Sequence, residues 1–305
     1  MKKDGLKGKR ILVTGASGFI GRHLTTELQK QGAKVLALDV QDNNPVDLRD
    51  WHRLEDFGNE LGKLDLAYHL AGLMFVPYSF ENPREIYEVN VLGTLNLLEL
   101  CRLHKAEKVV FASSYVYGPP QYLPIDEEHP LNPTSPYARS KVMGENLLKA
   151  FHEDYGLKYT ILRPFNIYGE GQSDNFLIPT ILKQMACGKI ELVDPEPKRD
   201  FLYINDMVDA YLKVGENDSG DLEIFNIGAG SSYSVDEIVQ ILMGIWGKQV
   251  DVSYKHSRRR NEIMNVVADV QKAKKELGWT PRVELKEGLK KYIQWYKARL
   301  NSAFS

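Results

Sequence analysis

Short apolar runs alternate with amphipathic stretches through the first half of the chain. Arg10-Ile11-Leu12-Val13-Thr14 is a compact, β-branched run and reads as a buried strand. A helix then carries Phe19, Ile20, Leu24 and Leu28 inward and stops at Gly32. Lys34-Val35-Leu36-Ala37-Leu38 is a second strand, with Asp39 at its end. After a brief connection through Asp47-Leu48-Arg49-Asp50, residues 64–70 form a third strand that runs into Ala71-Gly72. A helix is expected from about Asn90 to His104, with Val91, Leu95, Leu98 and Cys101 on its apolar stripe. Lys108-Val109-Val110-Phe111-Ala112 is a fourth strand, finishing at Ser113-Ser114. A proline-punctuated loop from Pro119 to Pro136 precedes a helix running through Leu147, Leu148 and Phe151, and Tyr159-Thr160-Ile161-Leu162 is the next strand. This alternation predicts an α/β chain with a doubly wound, mostly parallel sheet.

From Arg163 the pattern loosens. Residues 164–169 read as a turn-rich passage, followed by a helix from about Ile178 to Cys187 and a short strand at 190–193. Residues 199–204 lead into a helix from Asn205 to Val214, residues 223–228 read as a strand, and helices near 235–246, 269–277 and 285–299 finish the chain. The expected division is a dinucleotide-binding region over 1–165 and a smaller substrate-binding cap over 166–305. The segment at about 201–230 returns to the first region.

Composition narrows the function. Of the 305 residues 43% are apolar and 26% charged, and the net charge of −2 gives no bulk attraction to nucleic acid or an anionic membrane. No stretch approaches the roughly 18 apolar residues of a membrane span. Cys101 and Cys187 lack metal-type spacing and are read as small core residues, which suits a reducing compartment. With no secretory signal at Met1-Lys2-Lys3-Asp4-Gly5, a cytoplasmic location is expected and no metal is.

Two local patterns carry chemistry. Strand, glycine turn, helix, strand and acidic residue make one βαβ unit of Rossmann type. In it Gly15 permits the tight turn, Gly18 lets the backbone approach a pyrophosphate, and Gly21 allows close helix packing. Asp39 can accept hydrogen bonds from ribose hydroxyls and would repel a 2′-phosphate, favouring NAD over NADP. The second pattern is Tyr137 followed by Lys141. On a helix these share one face, roughly 5–6 Å apart at Cβ, and a fixed ammonium favours the phenolate of a group whose free pKa is about 10.

The motifs Thr14-Gly15-Ala16-Ser17-Gly18-Phe19-Ile20-Gly21, His69-Leu70-Ala71-Gly72, Ser113 before Tyr117-Gly118, Tyr137-x-x-x-Lys141 and Arg163-Pro164-Phe165-Asn166-Ile167-Tyr168-Gly169 occur in this order. Over about residues 8 to 297 the chain resembles an extended short-chain dehydrogenase/reductase of the NAD-dependent nucleotide-sugar epimerase/dehydratase family, of the UDP-glucose 4-epimerase-like kind. The resemblance implies a catalytic trio of Ser113, Tyr137 and Lys141, the serine being chosen by counting back from Tyr117-Gly118. It implies cofactor contacts from Gly15, Ser17, Gly18, Phe19, Ile20, Gly21, Asp39, Asp47, Leu48, Leu70, Ala71, Gly72, Asn90, Tyr137 and Lys141. It implies substrate contacts from Ser79, Asn166, Arg199, Arg259 and Glu262, with Ser114 and Tyr115 deciding the outcome of the reaction. An arginine suits a diphosphate because its planar fork gives bidentate, charge-assisted bonds.

The implied activity is modification of a nucleotide-diphosphate sugar through a transient 4-keto intermediate, with a homodimer as the expected assembly. A 4-epimerase leads. A conventional 4,6-dehydratase carries carboxylates where Ser114 and Tyr115 stand, so a dehydratase of altered pattern and a 4-keto-sugar reductase follow. A non-catalytic dinucleotide-binding sensor is the remaining alternative. Pro77 and the apolar Met74-Phe75-Val76 run depart from the usual sugar-contacting loop.

Overall fold

The computed structural model describes residues 5–41, 45–59, 61–216, 221–247, 249–257 and 262–303. Its strands are β1 (Arg10–Thr14), β2 (Lys34–Leu38), β3 (Leu66–His69), β4 (Lys108–Ala112), β5 (Lys158–Pro164), β6 (Asn166–Tyr168), β7 (Lys189–Leu192), β8 (Lys198–Tyr203), β9 (Glu223–Ile227), β10 (Ser232–Ser234) and β11 (Asp251–Tyr254). Its helices are α1 (Phe19–Lys30), α2 (Trp51–Asn59), α3 (Val76–Glu81), α4 (Pro83–Tyr87), α5 (Gly93–Leu103), α6 (Pro136–Tyr155), α7 (Leu177–Ala186), α8 (Ile204–Glu216), α9 (Val235–Trp246) and α10 (Leu285–Ala303).

Six parallel strands form the main sheet in the order β2-β1-β3-β4-β5-β9. Successive residues feed opposite faces, as the two-residue period of a strand requires. Val13, Tyr68, Val110 and Leu162 enter one core with α1 and α8. Leu12, Ala67, Val109 and Ile161 enter the other, with Leu54, Leu97 and Leu148 from α2, α5 and α6. The strand order reverses at β1, so a crevice opens beyond the carboxyl ends of β1 and β3, where such sheets take ligands. Smaller sheets β10-β8-β6 and β11-β7 lie beyond it.

The fold differs from the pattern reading in four places. Helix α2 lies in the stretch between the second and third strands, which carried no predicted element; Leu54 and Gly58 are its buried face. The helix expected from Asn90 begins at α4 and passes through a π turn at Glu88–Leu92. That extra residue rotates the stripe, so Leu97, Leu98 and Cys101 are buried while Leu95 is 39% exposed and Val91 only partly covered. Residues 166–168 form strand β6, not a turn, paired with β8. Cys187 caps the end of α7 and is exposed, in contrast to buried Cys101. Among the described residues no helix is long and apolar enough to cross a membrane.

Candidate active site

The crevice is built first by the turn between β1 and α1. Gly15 has φ +69°, and a Cβ there would lie 2.7 Å from the Ala71 amide at the end of β3. A Cβ on Gly21 would lie 2.0 Å from the Gly15 carbonyl oxygen, so the first turn of α1 rests directly on the glycine turn. The helix is capped by Gly18 without a side-chain bond, leaving its first amides to point into the crevice. This cradle fits a pyrophosphate held by backbone N–H groups. Asp39 stands beside it: the Ser17 amide donates to one carboxylate oxygen at 2.9 Å and the Gln41 amide to the other at 2.9 Å. Each oxygen keeps a lone pair for a further donor. Replacing Asp39→Ala is expected to raise the KM for NAD about tenfold, the worth of one charged hydrogen bond, and to weaken discrimination against NADP. Initial rates with each cofactor check this.

Leu70, Ala71 and Gly72 form the other wall. Its position is set by a buried relay: the Ala71 amide donates to Thr14 Oγ1 at 3.2 Å, and Thr14 Oγ1 lies 2.8 Å from His69 Nδ1. His69 Nε2 lies 2.8 Å from Thr94 Oγ1, whose hydroxyl donates to the Asn90 carbonyl at 2.6 Å. Only one arrangement satisfies every member: Thr14 donates to Nδ1, and the Nε2 proton goes to Thr94. Asn90 in turn accepts from the Leu73 amide at 2.8 Å and donates to Leu73 O and Ser140 Oγ. It therefore ties this wall to α6, the structural role a buried asparagine at a π turn suits.

Burial pushes the His69 imidazole down to about 3, with the Lys141 charge adding to it. Unfolded, the ring takes a proton near pH 6.5; folded, it stays neutral until about pH 3. Its contribution to stability is complete above pH 6.5 and is lost as the pH falls toward 3. One proton of linkage has a slope of about 1.4 kcal/mol per pH unit. His69→Gln, which can keep one donor and one acceptor, is expected to flatten the pH dependence of unfolding by that slope within this window, measured by denaturant titration.

Helix α6 carries the reactive pair. The Ser135 side chain accepts from the Ala138 amide at 3.1 Å and Pro136 occupies the first turn, so the start of the helix is fixed. A Cβ on Gly144 would come 2.7 Å from the Phe111 ring, so α6 crosses β4 at close range. That approach lets Lys141 Nζ donate to Ala112 O at 2.9 Å while lying 5.0 Å from the centre of the Phe111 ring. A Cβ on Gly72 would lie 3.3 Å from the same Nζ, so Lys141 reaches the crevice wall. Burial draws the Lys141 ammonium down to about 8, and Glu145 opposes this.

Tyr137 is partly buried, with the Ser114 side chain beside its hydroxyl. Burial raises its pKa above the ordinary phenol value, and Ser114 draws it partly back. The direction is opposite to the sequence expectation, because burial dominates; the Lys141 ammonium is turned onto Ala112 O.

Ser113 donates to Glu145 Oε1 at 2.5 Å, and the Ser114 side chain lies beside the Tyr137 hydroxyl. Ser113 shares the α6-facing side of β4 with Phe111, while Ser114 lies just past the strand. Tyr115 is tied down, its hydroxyl donating to Gly118 O at 2.5 Å and its ring packed on Tyr117 and Phe165.

The remaining residues have partners of their own. Leu48 is buried against Gly93, and Asn96 donates to its carbonyl at 2.7 Å; Asp47 pairs with Arg49. Ser79 is fully buried and donates to Val76 O at 2.6 Å within its own helix. On the far side Asn166 donates to Asp200 O at 3.1 Å, and Arg199 pairs with Glu262 and donates to Ile263 O at 2.6 Å. Arg199 and Glu262 are thus brought together as expected. A cavity of about 450 Å³ lined by Pro119, Tyr122, Glu262 and Asn265 adjoins them. Arg259 lies outside the described residues. Glu145 and Arg163 were passed over as functional candidates. The available signal was a carboxylate on the buried stripe Ala138, Lys141, Glu145, Leu148.

The Tyr–Lys helix across the carboxyl edge of a Rossmann-type sheet defines a protein of the extended short-chain dehydrogenase/reductase class. The profile of the NAD dependent epimerase/dehydratase family matches residues 11–228, and the chain belongs to that family. It is accordingly an NAD-dependent enzyme acting on nucleotide sugars. It is 31% identical to the UDP-glucose 4-epimerase of Mycolicibacterium smegmatis, over 94% of this chain and 98% of that protein. The crystal structure of UDP-glucose 4-epimerase from Thermotoga maritima with UDP-glucose superposes with a TM-score of 0.89 at 31% identity, covering 95% of this chain and 99% of that one. The Thermus thermophilus UDP-glucose 4-epimerase complex with NAD gives 0.86 at 30% identity, covering 94% and 99%.

Proposed function

We propose that the protein is a nucleotide-diphosphate-sugar 4-epimerase in which Tyr137 is the acid/base group. NAD, when bound, supplies a reversible hydride acceptor. Tyr137 takes the proton from a sugar hydroxyl and later returns it to the same oxygen. Ser114, whose side chain lies beside that phenol, stabilises charge developing there. Lys141, reoriented from Ala112 O toward the crevice, supplies the positive charge that favours the phenolate. Gly15, Gly18 and Gly21 hold the dinucleotide phosphates, with Asp39 on the ribose. Asn166 and the Arg199–Glu262 pair take the nucleotide-diphosphate end.

One observation carries the choice of epimerase. Among the described residues, the corner next to Tyr137 offers hydroxyls and no available carboxylate: Tyr115 is tied to Gly118 O, and Glu145 is locked by Arg163. Elimination of water would need an acid/base pair that these residues do not provide. The test is to incubate the protein with NAD and UDP-, GDP-, dTDP- and CDP-sugars in deuterated water and follow products by NMR. The expected product is the C4 epimer without solvent deuterium. Deuterium at C6 would mark a dehydratase, and turnover only with added NAD(P)H a reductase.

A homodimer is part of the proposal. Leu92, Leu95 and Leu103 form an exposed stripe along the π turn and α5, and Met143 is exposed on α6, which packs beside it. A second copy of this apolar face is the occupant that would cover it. Sedimentation of the native protein and of Leu95→Glu tests this, with a monomer expected for the variant.

A further inference from the structure

Between the loop that follows β4 and the segment that follows β11 lies an open cavity of about 450 Å³ that the hydride chemistry does not use. Its size falls within the range of about 300–1,000 Å³ that small-ligand sites occupy. Pro119, Gln121, Tyr122 and Leu123 form one wall, and Glu262 and Asn265 stand on the other. Tyr122 and Leu123 are each 43% exposed, so an aromatic ring and an aliphatic side chain stand open there. The ring is held in place. Its hydroxyl donates to Asp126 Oδ1 at 2.7 Å, and it tilts against the His129 ring with the two centres 4.7 Å apart. His129 is buried and fixed in turn. The Gln121 amide donates to its Nε2 at 2.9 Å, so Nδ1 carries the proton and donates it to Pro130 O at 3.1 Å.

A buried polar chain anchors that loop from behind. Arg163 Nη1 donates to the Tyr117 hydroxyl at 3.0 Å, and Tyr117 donates to Asn226 Oδ1 at 2.6 Å. Asn226 Nδ2 donates to Ile125 O at 3.0 Å, and its backbone amide donates to Glu127 Oε1 at 2.7 Å. The Ile125 amide donates to Val267 O at 2.8 Å and its carbonyl accepts from the Asp269 amide at 2.7 Å, which ties the loop to the segment carrying the far wall. The far wall has its own pins: the Lys198 amide on Met264 O at 2.8 Å, Arg199 Nη1 on Ile263 O at 2.6 Å, and the Ser232 hydroxyl on Asn265 Oδ1 at 2.8 Å. The cavity therefore stands between two anchored walls. Groups fixed before a ligand arrives lose little freedom when it binds.

The chemistry of the walls narrows the occupant. Among the described residues no lysine or arginine lines the cavity, and Glu262 brings a carboxylate to it, so an anion is disfavoured. A purely apolar ligand would leave that carboxylate and the Gln121 and Asn265 amides without partners. A neutral pyranose matches both kinds of group: C–H bonds on one face for the tyrosine ring, and hydroxyls at the rim for the polar side chains. Glu262 accepts from Arg199 through one oxygen, and a carboxylate has further lone pairs for hydroxyl donors. Asn265 accepts from Ser232 through its oxygen, which turns its N–H groups toward a ligand oxygen.

We propose that this cavity is a carbohydrate subsite. It takes one neutral pyranose ring other than the ring that reacts, with the C–H face of that ring on Tyr122 and its hydroxyls on Glu262 and Asn265. Glu262 also belongs to the pair assigned to the nucleotide-diphosphate end, so the subsite adjoins the nucleotide sugar. That placement rests on the proposed function, whereas the binding of a ring does not. The ring arrives either as a second sugar carried on the substrate or as a free saccharide.

Saturation-transfer NMR of the NAD-loaded protein with methyl β-glucopyranoside and methyl β-galactopyranoside, each at about 10 mM, tests the binding. Transfer to the ring protons of one face is expected. Tyr122→Ala should weaken the Kd about tenfold or more, while Tyr122→Phe, which keeps the ring, should stay within about threefold of wild type. Asn265→Asp keeps the acceptor for Ser232 and removes the donor for the ligand, and should weaken the Kd about tenfold. It serves alone if Tyr122→Ala does not fold. Absence of transfer in the wild-type protein, or transfer that these substitutions leave unchanged, overturns the proposal. So does transfer to uridine that depends on Tyr122 when neither glycoside binds, since the cavity would then take a nucleobase. Turnover separates the two sources of the ring. In Tyr122→Ala the ratio of kcat/KM for a UDP-linked disaccharide to that for UDP-glucose falls about tenfold if the ring is carried on the substrate, and holds if the saccharide is free. If the wild-type protein converts no nucleotide sugar, the proposed function fails, while the glycoside titrations still judge the subsite.

Discussion

Tyr137→Phe is expected to lower kcat about 10³-fold while leaving NAD affinity within about twofold, the range that removal of a general acid/base group covers. The ring survives the change, so the packing at the start of α6 survives with it. The lost atom is the hydroxyl beside the Ser114 side chain, and its loss leaves the cradle of Gly15 and Gly21 untouched. Burial holds the tyrosine proton on in the protein alone. The phenolate must therefore be induced by positive charge brought to it, and the substituted ring would have nothing to ionise. Stopped-flow measurement of the first hydride step, with fluorescence titration of NAD alongside, separates chemistry from binding. Normal turnover by the phenylalanine protein would remove Tyr137 from the mechanism. Ser114→Ala is expected to cost about 10²-fold in kcat, since its side chain lies beside the phenol.

The difference between the two serines also marks where the sequence is legible and where it is not. Counting back from Tyr117-Gly118 fixes a position only if the loop length is constant. The strand supplies a better ruler. Phe111 packs under Gly144 of α6, and two residues on, Ser113 must face the same helix, where Glu145 waits. The period of the strand thus contained the answer, but only once α6 was known to lie over β4. The βαβ unit was readable because its constraints are local: Gly15, Gly21 and Asp39 act within one turn and its two strands. Helix α2 was missed because its stripe is short, with Leu54 as its one large buried residue. The π turn at 88–92 leaves no compositional trace, yet it decides that Leu97 is inside and Leu95 outside. The partners of Ser79 and Tyr115 were not legible for a shared reason. A hydroxyl at a matching position says nothing of its partner, and both found backbone carbonyls instead.

Gly21→Ala is expected to destabilise the fold by about 3 kcal/mol or more and to abolish measurable NAD binding, because the added methyl meets backbone instead of a yielding side chain. Its Cβ would lie 2.0 Å from Gly15 O, 2.8 Å from Gly15 C and 2.9 Å from Ala16 Cα. Relief requires α1 to lift from the turn or the turn to move from α1. The turn has little freedom: Gly15 sits at φ +69°, its amide donates to Leu38 O at 2.9 Å, and its carbonyl accepts from the Gly18 amide at 3.1 Å. Lifting α1 would withdraw Leu24 and Leu28 from a core in which both are fully buried. Either movement displaces the helix amides that face the phosphates, so stability and affinity fall together. Gly32→Ala is the control, at a site where a Cβ meets only the flexible Lys7 side chain at 3.3 Å. With φ +81° there, it should lose modest stability from backbone strain while keeping NAD affinity. Calorimetric unfolding with and without NAD measures both quantities. A Gly21→Ala protein that melts at the wild-type temperature and still gains stability from NAD would mean that α1 does not rest on the turn as described.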